Sequence, residues 1–227
     1  MNVITALNPF SLVESGNPAC ALQVVLLRNL DAAALFDVPY SRFANMEYTG
    51  GMELKPQDVL VALKLALHSN AEPPTYAQLA VSLGLSPSEV HAAVKRARAA
   101  RLLNGLDSPF SVDRRALLEF VVHGLKYAFP AERGAMTRGI PTSYAAPPLN
   151  REFAPTSDPV PVWPHAEGTV RGFAFAPFAR SAPAASRRDE KLYEVLALID
   201  ALREGRARER NLAEKELTVR LGKRKSK

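Results

Sequence analysis

The sequence predicts a mainly α-helical protein made of a helical head, an extended strap rich in proline, glycine and aromatic residues, and C-terminal helices. Apolar residues recur at the three-and-four spacing of helices over 56–68, 75–103 and 187–221. Ten of the eighteen prolines lie in 130–186, and they deny that segment a long helix. A chain of 227 residues, 47% of them hydrophobic, can also bury a sizeable core.

The composition of the chain limits which kinds of partner and which cellular compartment it can have. No apolar run reaches the roughly 18 residues of a membrane span, and the run 19–30 is short and lacks a basic leader, so we expect no signal peptide. The single cysteine, Cys20, excludes an internal disulfide framework and favours a cytoplasmic protein. Four scattered histidines indicate neither a metal site nor another cofactor. The net charge of +6 is compatible with a polyanionic partner.

Residues 1–51 differ in composition from the rest of the chain, because they contain no lysine, four acidic residues and two arginines. The apolar run 22–30 has no period that would distinguish a strand from a short helix. A clear helix start follows directly after Met52. We therefore hypothesise that Met52 is the natural start and that 1–51 is a poorly ordered upstream extension. The alternative is an N-terminal arm that packs on a partner subunit.

The first helix of the head is predicted over 56–68. Pro56 is well placed at its start, and Asp58 in the first turn complements the helix dipole. The predicted buried stripe comprises Val59, Leu60, Leu63 and Leu67. His68 lies at the C-terminal end, where a cation is mildly favoured, and we interpret it in that way rather than as a catalytic residue.

The stretch 75–103 predicts a helix, a tight turn and a second helix. Thr75 can cap the first helix, on which Leu79 and Leu83 mark the buried face. Gly84 supplies the left-handed residue that ends this helix. The second helix then begins with Ser86 as N-cap, Pro87 at the first helical position and Glu89 three residues after the cap, the pattern of a capping box.

The second helix has an apolar back and a polar, basic front. Val90, Val94 and Ala97 share one face, whereas Ser88, His91, Ala92 and Lys95 lie opposite, with Arg96 and Arg98 beside them. Short side chains allow a close approach to bases, and cations can meet phosphates on either side, so this pattern suits the major groove of DNA. The alternative is a helical pair that only packs and exposes a solvated basic face.

The segment YAQLAVSLGLSPSEVHAAVKRA resembles the winged helix-turn-helix of MarR-like bacterial transcription regulators, over about residues 54–120. The resemblance implies a winged helix-turn-helix head over 52–129 that places the helix 87–101 in the major groove of double-stranded DNA, in a homodimer. The predicted DNA-binding residues are Thr75, Gln78, Ser86, Ser88, His91, Lys95, Arg96, Arg98 and Arg114. Among them, Ser88, His91 and Lys95 would contact bases, and the arginines would contact phosphates.

A wing after Leu103 must be short, since the turn signal at 104–105 is followed at once by Ser108 and Pro109. It lacks an arginine at its tip, and we expect no wing contacts with DNA. Asp113 then predicts the N-cap of a helix that runs to about residue 129.

Four residues of this helix are predicted to face inward: Leu117, Phe120, Val121 and Leu125. Arg114 and Arg115 lie in its first turn, which is electrostatically unfavourable for cations unless they face phosphate. They either contact the DNA backbone or lie in a solvated turn.

The strap, residues 130–186, is too aromatic for a plain disordered linker. Its aromatic residues are expected to anchor an extended strap or to form a small sheet, and they include Trp163, Phe173, Phe175 and Phe178. Within 123–149, Arg133, Thr137 and Arg138 could read an anion in a ligand-binding loop. We favour a structural role, because no phosphate-loop spacing is present.

Residues 187–221 predict two helices separated near Gly205. Their apolar stripe comprises Leu192, Val195, Leu196, Ile199, Leu202, Leu212, Leu217 and Leu221. We expect this stripe to pack either within the subunit or across a dimer. The basic tail 222–227 is either disordered or attracts phosphate without specificity.

Three functions remain open at this point. The first is a sequence-specific DNA-binding transcription regulator, expected to be dimeric. The second is an interaction protein, such as an antitoxin or adaptor, that binds a protein partner through the strap and the C-terminal helices. An enzyme is the weakest reading, since the sequence offers no nucleophile elbow, metal cluster or paired carboxylates in a cleft.

Overall fold

The computed structural model of the chain describes residues 53–68, 72–104, 108–153 and 158–222. The fold is mainly α-helical with one small sheet, and none of the helices described is long and apolar enough to cross a membrane. The helices are α1 (Pro56–Leu67), α2 (Tyr76–Leu83), α3 (Pro87–Ala99), α4 (Arg114–Glu119), α5 (Leu125–Ala128), α6 (Ala182–Ser186), α7 (Glu190–Glu204) and α8 (Ala207–Leu221). The expectations for 1–51, including a natural start at Met52, lie outside the described residues, as does the tail beyond Gly222.

In the head, α3 packs against both α1 and α2. Val59, Leu60 and Leu63 are completely buried, as their spacing predicted, and Leu67 is half-buried. The helix α1 begins with a proline at its first turn, and the Asp58 carboxylate accepts a hydrogen bond from Lys55 N at 2.8 Å. Val59, Leu60 and Leu63 thus belong to the buried core of the head.

A short hairpin follows α3. Its strands meet in a single antiparallel bridge between Leu103 and Val112, extended by a hydrogen bond from Asn104 N to the Ser111 carbonyl at 2.8 Å. At its base, Asp113 N donates to the Leu102 carbonyl at 3.0 Å. The hairpin is thus as short as the sequence suggested; its tip, 105–107, lies outside the described residues.

The helix predicted from Asp113 to about residue 129 is interrupted. Asp113 caps it as expected, accepting hydrogen bonds from Arg115 N and Ala116 N. A π-helical segment, Phe120–Gly124, then separates α4 from α5. The inward residues are confirmed with one exception: Leu117, Val121 and Leu125 are buried, whereas Phe120 is half-buried.

The strap forms the small sheet that was one of its two expected structures. Strand β1 (Arg133–Pro141) pairs antiparallel with β2 (Pro161–Pro164) and with β3 (Val170–Phe175), and β2 and β3 pair in parallel, which closes the three strands on themselves. Two glycines permit this closure. A Cβ added at Gly139 would lie 2.0 Å from the Trp163 carbonyl oxygen, and one at Gly172 would lie 2.0 Å from the Val160 carbonyl oxygen.

A buried carboxylate on α7 joins the sheet to the helices. Asp200 is fully buried, and its Oδ2 accepts hydrogen bonds from Trp163 Nε1 at 2.6 Å and from Thr142 Oγ1 at 2.7 Å. Its Oδ1 pairs with Arg203 Nη1 at 2.8 Å. Burial raises the pKa of the Asp200 carboxyl, while Arg203 and the two neutral donors oppose that shift.

The C-terminal helices pack within the subunit. The side chains of Leu192, Val195, Leu196, Ile199, Leu202, Leu217 and Leu221 are buried, and Leu212 is half-buried. Helix α7 contacts α1, α5, α6 and α8, which explains why so much of its surface is apolar. Gly205 ends α7, as predicted. The apolar stripe is therefore covered by this chain itself and does not offer the dimer surface that the sequence left open.

Candidate nucleic-acid interface

The two helices of the candidate interface are joined as the sequence predicted. Thr75 caps α2, and Gly84 ends it in the left-handed conformation with φ of +66°. Ser86 then caps α3, where Ser86 Oγ accepts from Glu89 N at 3.2 Å and Glu89 Oε2 accepts from Ser86 N at 2.8 Å. These local hydrogen bonds fix both the length of the turn and the direction in which α3 leaves it.

The back of α3 is buried and its front is exposed. Val90, Ala93, Val94 and Ala97 are buried against α1 and α2. On the opposite side, Ser88, His91 and Lys95 are all exposed. The three residues expected to read bases thus share one solvent-facing surface, which we call the α3 front. The Lys95 ammonium has no ion-pair partner among the residues that the structure describes.

Three further predicted residues contribute mainly to capping. Thr75 N and Thr75 Oγ1 donate to Gln78 Oε1 at 2.8 and 3.1 Å, and Gln78 N donates back to Thr75 Oγ1. Ser86 Oγ donates to Glu89 Oε2 at 2.7 Å. Thr75, Gln78 and Ser86 are exposed, but their side-chain oxygens already have hydrogen-bond partners at the helix starts, so they can approach DNA chiefly as part of those caps.

The structure does not support Arg96 as one of the predicted phosphate contacts. Its Nε and Nη2 donate to the two carboxylate oxygens of Asp58 at 2.8 and 2.7 Å. The Asp58 side chain is completely buried and that of Arg96 is 15% exposed. The hydrogen bonds to Asp58 raise the pKa of the Arg96 guanidinium further. Arg96 therefore holds α3 against α1, because leaving a buried carboxylate unpaired would be costly.

Arg114 is also used within the fold. Its Nη2 donates to the Ala66 carbonyl at the end of α1, and its Nη1 donates to the Leu221 carbonyl at the end of α8 at 3.3 Å. The guanidinium thus satisfies carbonyl groups that the helix ends leave without intrahelical partners. Both interpretations offered for Arg114, phosphate contact and a solvated turn, are replaced by this structural one.

The remaining predicted arginine, Arg98, is exposed, and its Nη2 donates to the Pro109 carbonyl in the hairpin at 3.3 Å. Two other exposed arginines flank the hairpin base, where Leu102 and Asp113 are hydrogen-bonded. They are Arg101, which has a positive φ of 59°, and Arg115. Arg101 was not among the predicted residues, because its place follows from the bend that ends α3.

An aromatic cluster beside the α3 front was not predicted. The ring of Tyr76, the first residue of α2, lies 5.4 Å from the His91 ring and 4.9 Å from the Phe110 ring in the hairpin. Tyr76 therefore connects both helices with the hairpin and restricts the orientation of His91. The sequence signal was weak, since three aromatic residues at separations of 15 and 19 positions match no local period.

Two open clefts lie beside the head. One of about 600 Å³ is lined by α1, α2 and the residues between them, and one of about 390 Å³ is lined by α1 and the start of α7. Lys64 and His68 line both. The Lys64 ammonium is paired with Asp189 at 2.6 Å, and His68 Nε2 contacts the Glu72 carbonyl at 2.8 Å. Lys64 and His68 already bind other groups of the protein, so neither cleft shows a preformed ligand site.

Comparisons with known proteins do not assign a family. No protein-family model, curated protein or solved structure matches this chain with significant similarity. Within the described residues, no group of three or more histidine, cysteine or acidic side chains can hold a metal ion. The geometry of the α3 front is therefore the basis for assigning a function.

Proposed function

We propose that this protein is a sequence-specific DNA-binding transcription regulator that reads the major groove with α3. The observation that carries the proposal is the α3 front, where Ser88, His91 and Lys95 are exposed together on a helix whose back is buried. Serine hydroxyls and lysine ammonium groups are suited to base edges, and Lys95 can donate to guanine acceptors.

The surrounding elements support this proposal. The order of α1, α2, α3 and a hairpin is the order of a winged helix domain, and the capped turn presents α3 in a fixed direction. Arg98, Arg101 and Arg115 are exposed at the end of α3 and at the hairpin base. They replace Arg96 and Arg114 as the proposed phosphate contacts, because the guanidinium groups of the latter two are bound within the fold.

The dimer implied by the resemblance stays a prediction. Its interface would have to use a surface other than the apolar stripe of α7 and α8, which is buried within the subunit. Sedimentation of the purified chain with and without a DNA duplex measures the stoichiometry directly.

The proposal is tested by fluorescence anisotropy with the protein's own upstream DNA and a scrambled duplex of the same composition, at two salt concentrations. We expect a preference for the upstream DNA that persists at the higher salt concentration, because base contacts depend less on counterion release than phosphate contacts do. Equal, salt-sensitive binding to both duplexes would refute sequence-specific reading.

The variant Lys95→Ala tests whether the α3 front is the surface that binds DNA. We expect it to weaken specific binding by about 1–3 kcal/mol and to relax the preference at one base pair. Lys215→Ala on α8 is the matched control, since this exposed lysine carries the same charge and lies on another helix. If both variants lose the same affinity, general charge and not the α3 front accounts for binding.

A further inference from the structure

The strands of the small sheet carry three arginines and no acidic residue. Arg133 on β1 is paired with Glu204 on α7, and its guanidinium lies 4.7 Å from the centre of the Phe173 ring. The other two, Arg138 and Arg171, are both exposed. Within residues 53–68, 72–104, 108–153 and 158–222, neither of these two guanidinium groups has an ion-pair or hydrogen-bond partner.

Arg138 and Arg171, which we call the arginine pair, lie directly opposite each other. They are cross-strand partners in the antiparallel pairing of β1 and β3. Cβ atoms of such partners lie about 4.5–5.5 Å apart, and like charges in this arrangement destabilise a sheet. The pair therefore lowers the stability of the isolated protein.

The strand register cannot shift to separate the two charges. Arg138 is followed by Gly139, and Arg171 is followed by Gly172, the two glycines whose lack of a Cβ allows the strands to close. A shift of β1 against β3 by one residue would bring side chains to these crowded positions. The fold thus holds two unpaired cations together on one face of the sheet.

We propose that the arginine pair is a second nucleic-acid contact that binds the phosphodiester backbone. Each guanidinium can donate two parallel hydrogen bonds to a phosphate, and a phosphate between the two would neutralise their repulsion. The site is open and exposed, which favours a polyanion over a single small anion, because a polyanion binds through several phosphates with release of counterions.

This surface is separate from the α3 front, and phosphate binding there does not require sequence-specific reading. The sheet packs on α7 through Trp163 and Asp200, whereas α3 packs on α1 and α2. A single-stranded oligonucleotide is accordingly the most direct probe, since it offers phosphates without a major groove.

The test compares the full chain with two double variants of equal charge, using fluorescence anisotropy with fluorescein-labelled oligo(dT). Arg138→Gln with Arg171→Gln should weaken binding about tenfold and reduce the slope of log affinity against log salt by about 0.7 for each phosphate that is no longer bound. Arg151→Gln with Arg180→Gln, two exposed arginines elsewhere in 130–186, should have a much smaller effect. Lys95→Ala should leave oligo(dT) binding unchanged, so this result is independent of the proposal for α3.

Thermal unfolding without nucleic acid separates binding from a structural role. Arg138→Gln alone should leave the melting temperature unchanged or raise it, because it removes a repulsion. Equal loss of oligo(dT) binding in the two double variants, or a lower melting temperature for Arg138→Gln, would overturn the proposal. Binding of the wild-type chain to vesicles of anionic lipid but not to oligo(dT) would overturn it as well.

Discussion

The guanidinium of Arg96 on α3 binds the carboxylate of Asp58 on α1 through two parallel hydrogen bonds, and the carboxylate is completely buried. The proposed reading helix is thus fixed to the helix behind it by an ion pair as well as by apolar packing. Its orientation relative to α1 is consequently defined before any DNA is bound.

Arg96→Ala should destabilise the protein by about 3 kcal/mol, because it leaves Asp58 buried without its partner. Lys95→Ala, at the adjacent exposed position, should change the free energy of unfolding by less than about 0.5 kcal/mol. Urea denaturation followed by circular dichroism measures both. Equal stabilities of the two variants would show that the ion pair contributes nothing measurable.

Ser86→Ala should cost about 1 kcal/mol by removing the N-cap of α3. The same variant should raise the pKa of the Glu89 carboxyl toward its usual range, because hydrogen bonds from the backbone and the side chain of Ser86 lower it in the native protein. NMR titration of Glu89 reports this change directly. Ser82→Ala is the control, because the Ser82 hydroxyl donates to the Leu79 carbonyl within α2. It should leave the Glu89 pKa in place, and a shift there would argue against the capping box as the cause.

Trp163→Phe and Thr142→Val each remove one donor to the same buried oxygen of Asp200. We expect losses of about 3 kcal/mol for the first and about 2 kcal/mol for the second, since hydrogen bonds to charged groups are stronger than neutral ones. The double variant should deviate from additivity by at least about 0.5 kcal/mol, because both donors act on one atom. Strict additivity in urea denaturation would mean that they act independently.

We predict that the Tyr193 phenol titrates at high pH. Burial raises the pKa of its phenol to about 12, and its hydroxyl donates to the Pro141 carbonyl at 2.7 Å. Because the folded-state pKa lies above the usual value near 10, this contribution to stability is fully present below pH 10 and is lost as pH rises toward 12. After allowance for partial exposure the loss is on the order of 1 kcal/mol.

Phenolate absorbance measures this titration. Tyr193 should ionise about two units later than an exposed tyrosine, and Tyr193→Phe should remove that step. Tyr127→Phe, at a tyrosine that is 77% exposed, is the control and should leave the late step in place. Persistence of the late step in Tyr193→Phe would assign it to another residue.

Local signals in the sequence were sufficient for the head. The caps at Thr75, Ser86 and Asp113 and the left-handed Gly84 each depend on residues within four positions of one another, and all four are confirmed. The π-helical segment within 113–129 was missed, because its apolar residues fit a continuous α-helix equally well.

Long-range partners were the part that could not be predicted. On a helical wheel Arg96 lies beside the exposed polar face, yet its partner Asp58 lies 38 positions earlier in the chain. Asp200 was not singled out, since a lone acidic residue within an apolar stripe gives no sign that Trp163 and Thr142 converge on it. The sequence permits either an extended strap or a sheet here, because glycine and proline obscure the alternating pattern of the strands.

The hydrogen bonds of Arg114 to the ends of α1 and α8 mean that the head cannot be transferred to another protein as an independent unit. A chain truncated after α5 would keep every residue of the proposed reading unit and still lack the Leu221 carbonyl that Arg114 binds. Transplanting 52–129 into a chimeric regulator would likewise leave the core of α1 without α7 and α8, which pack against it in the intact chain. The last helix, α8, therefore belongs to the same packed unit as α1, and any variant of the head has to keep both.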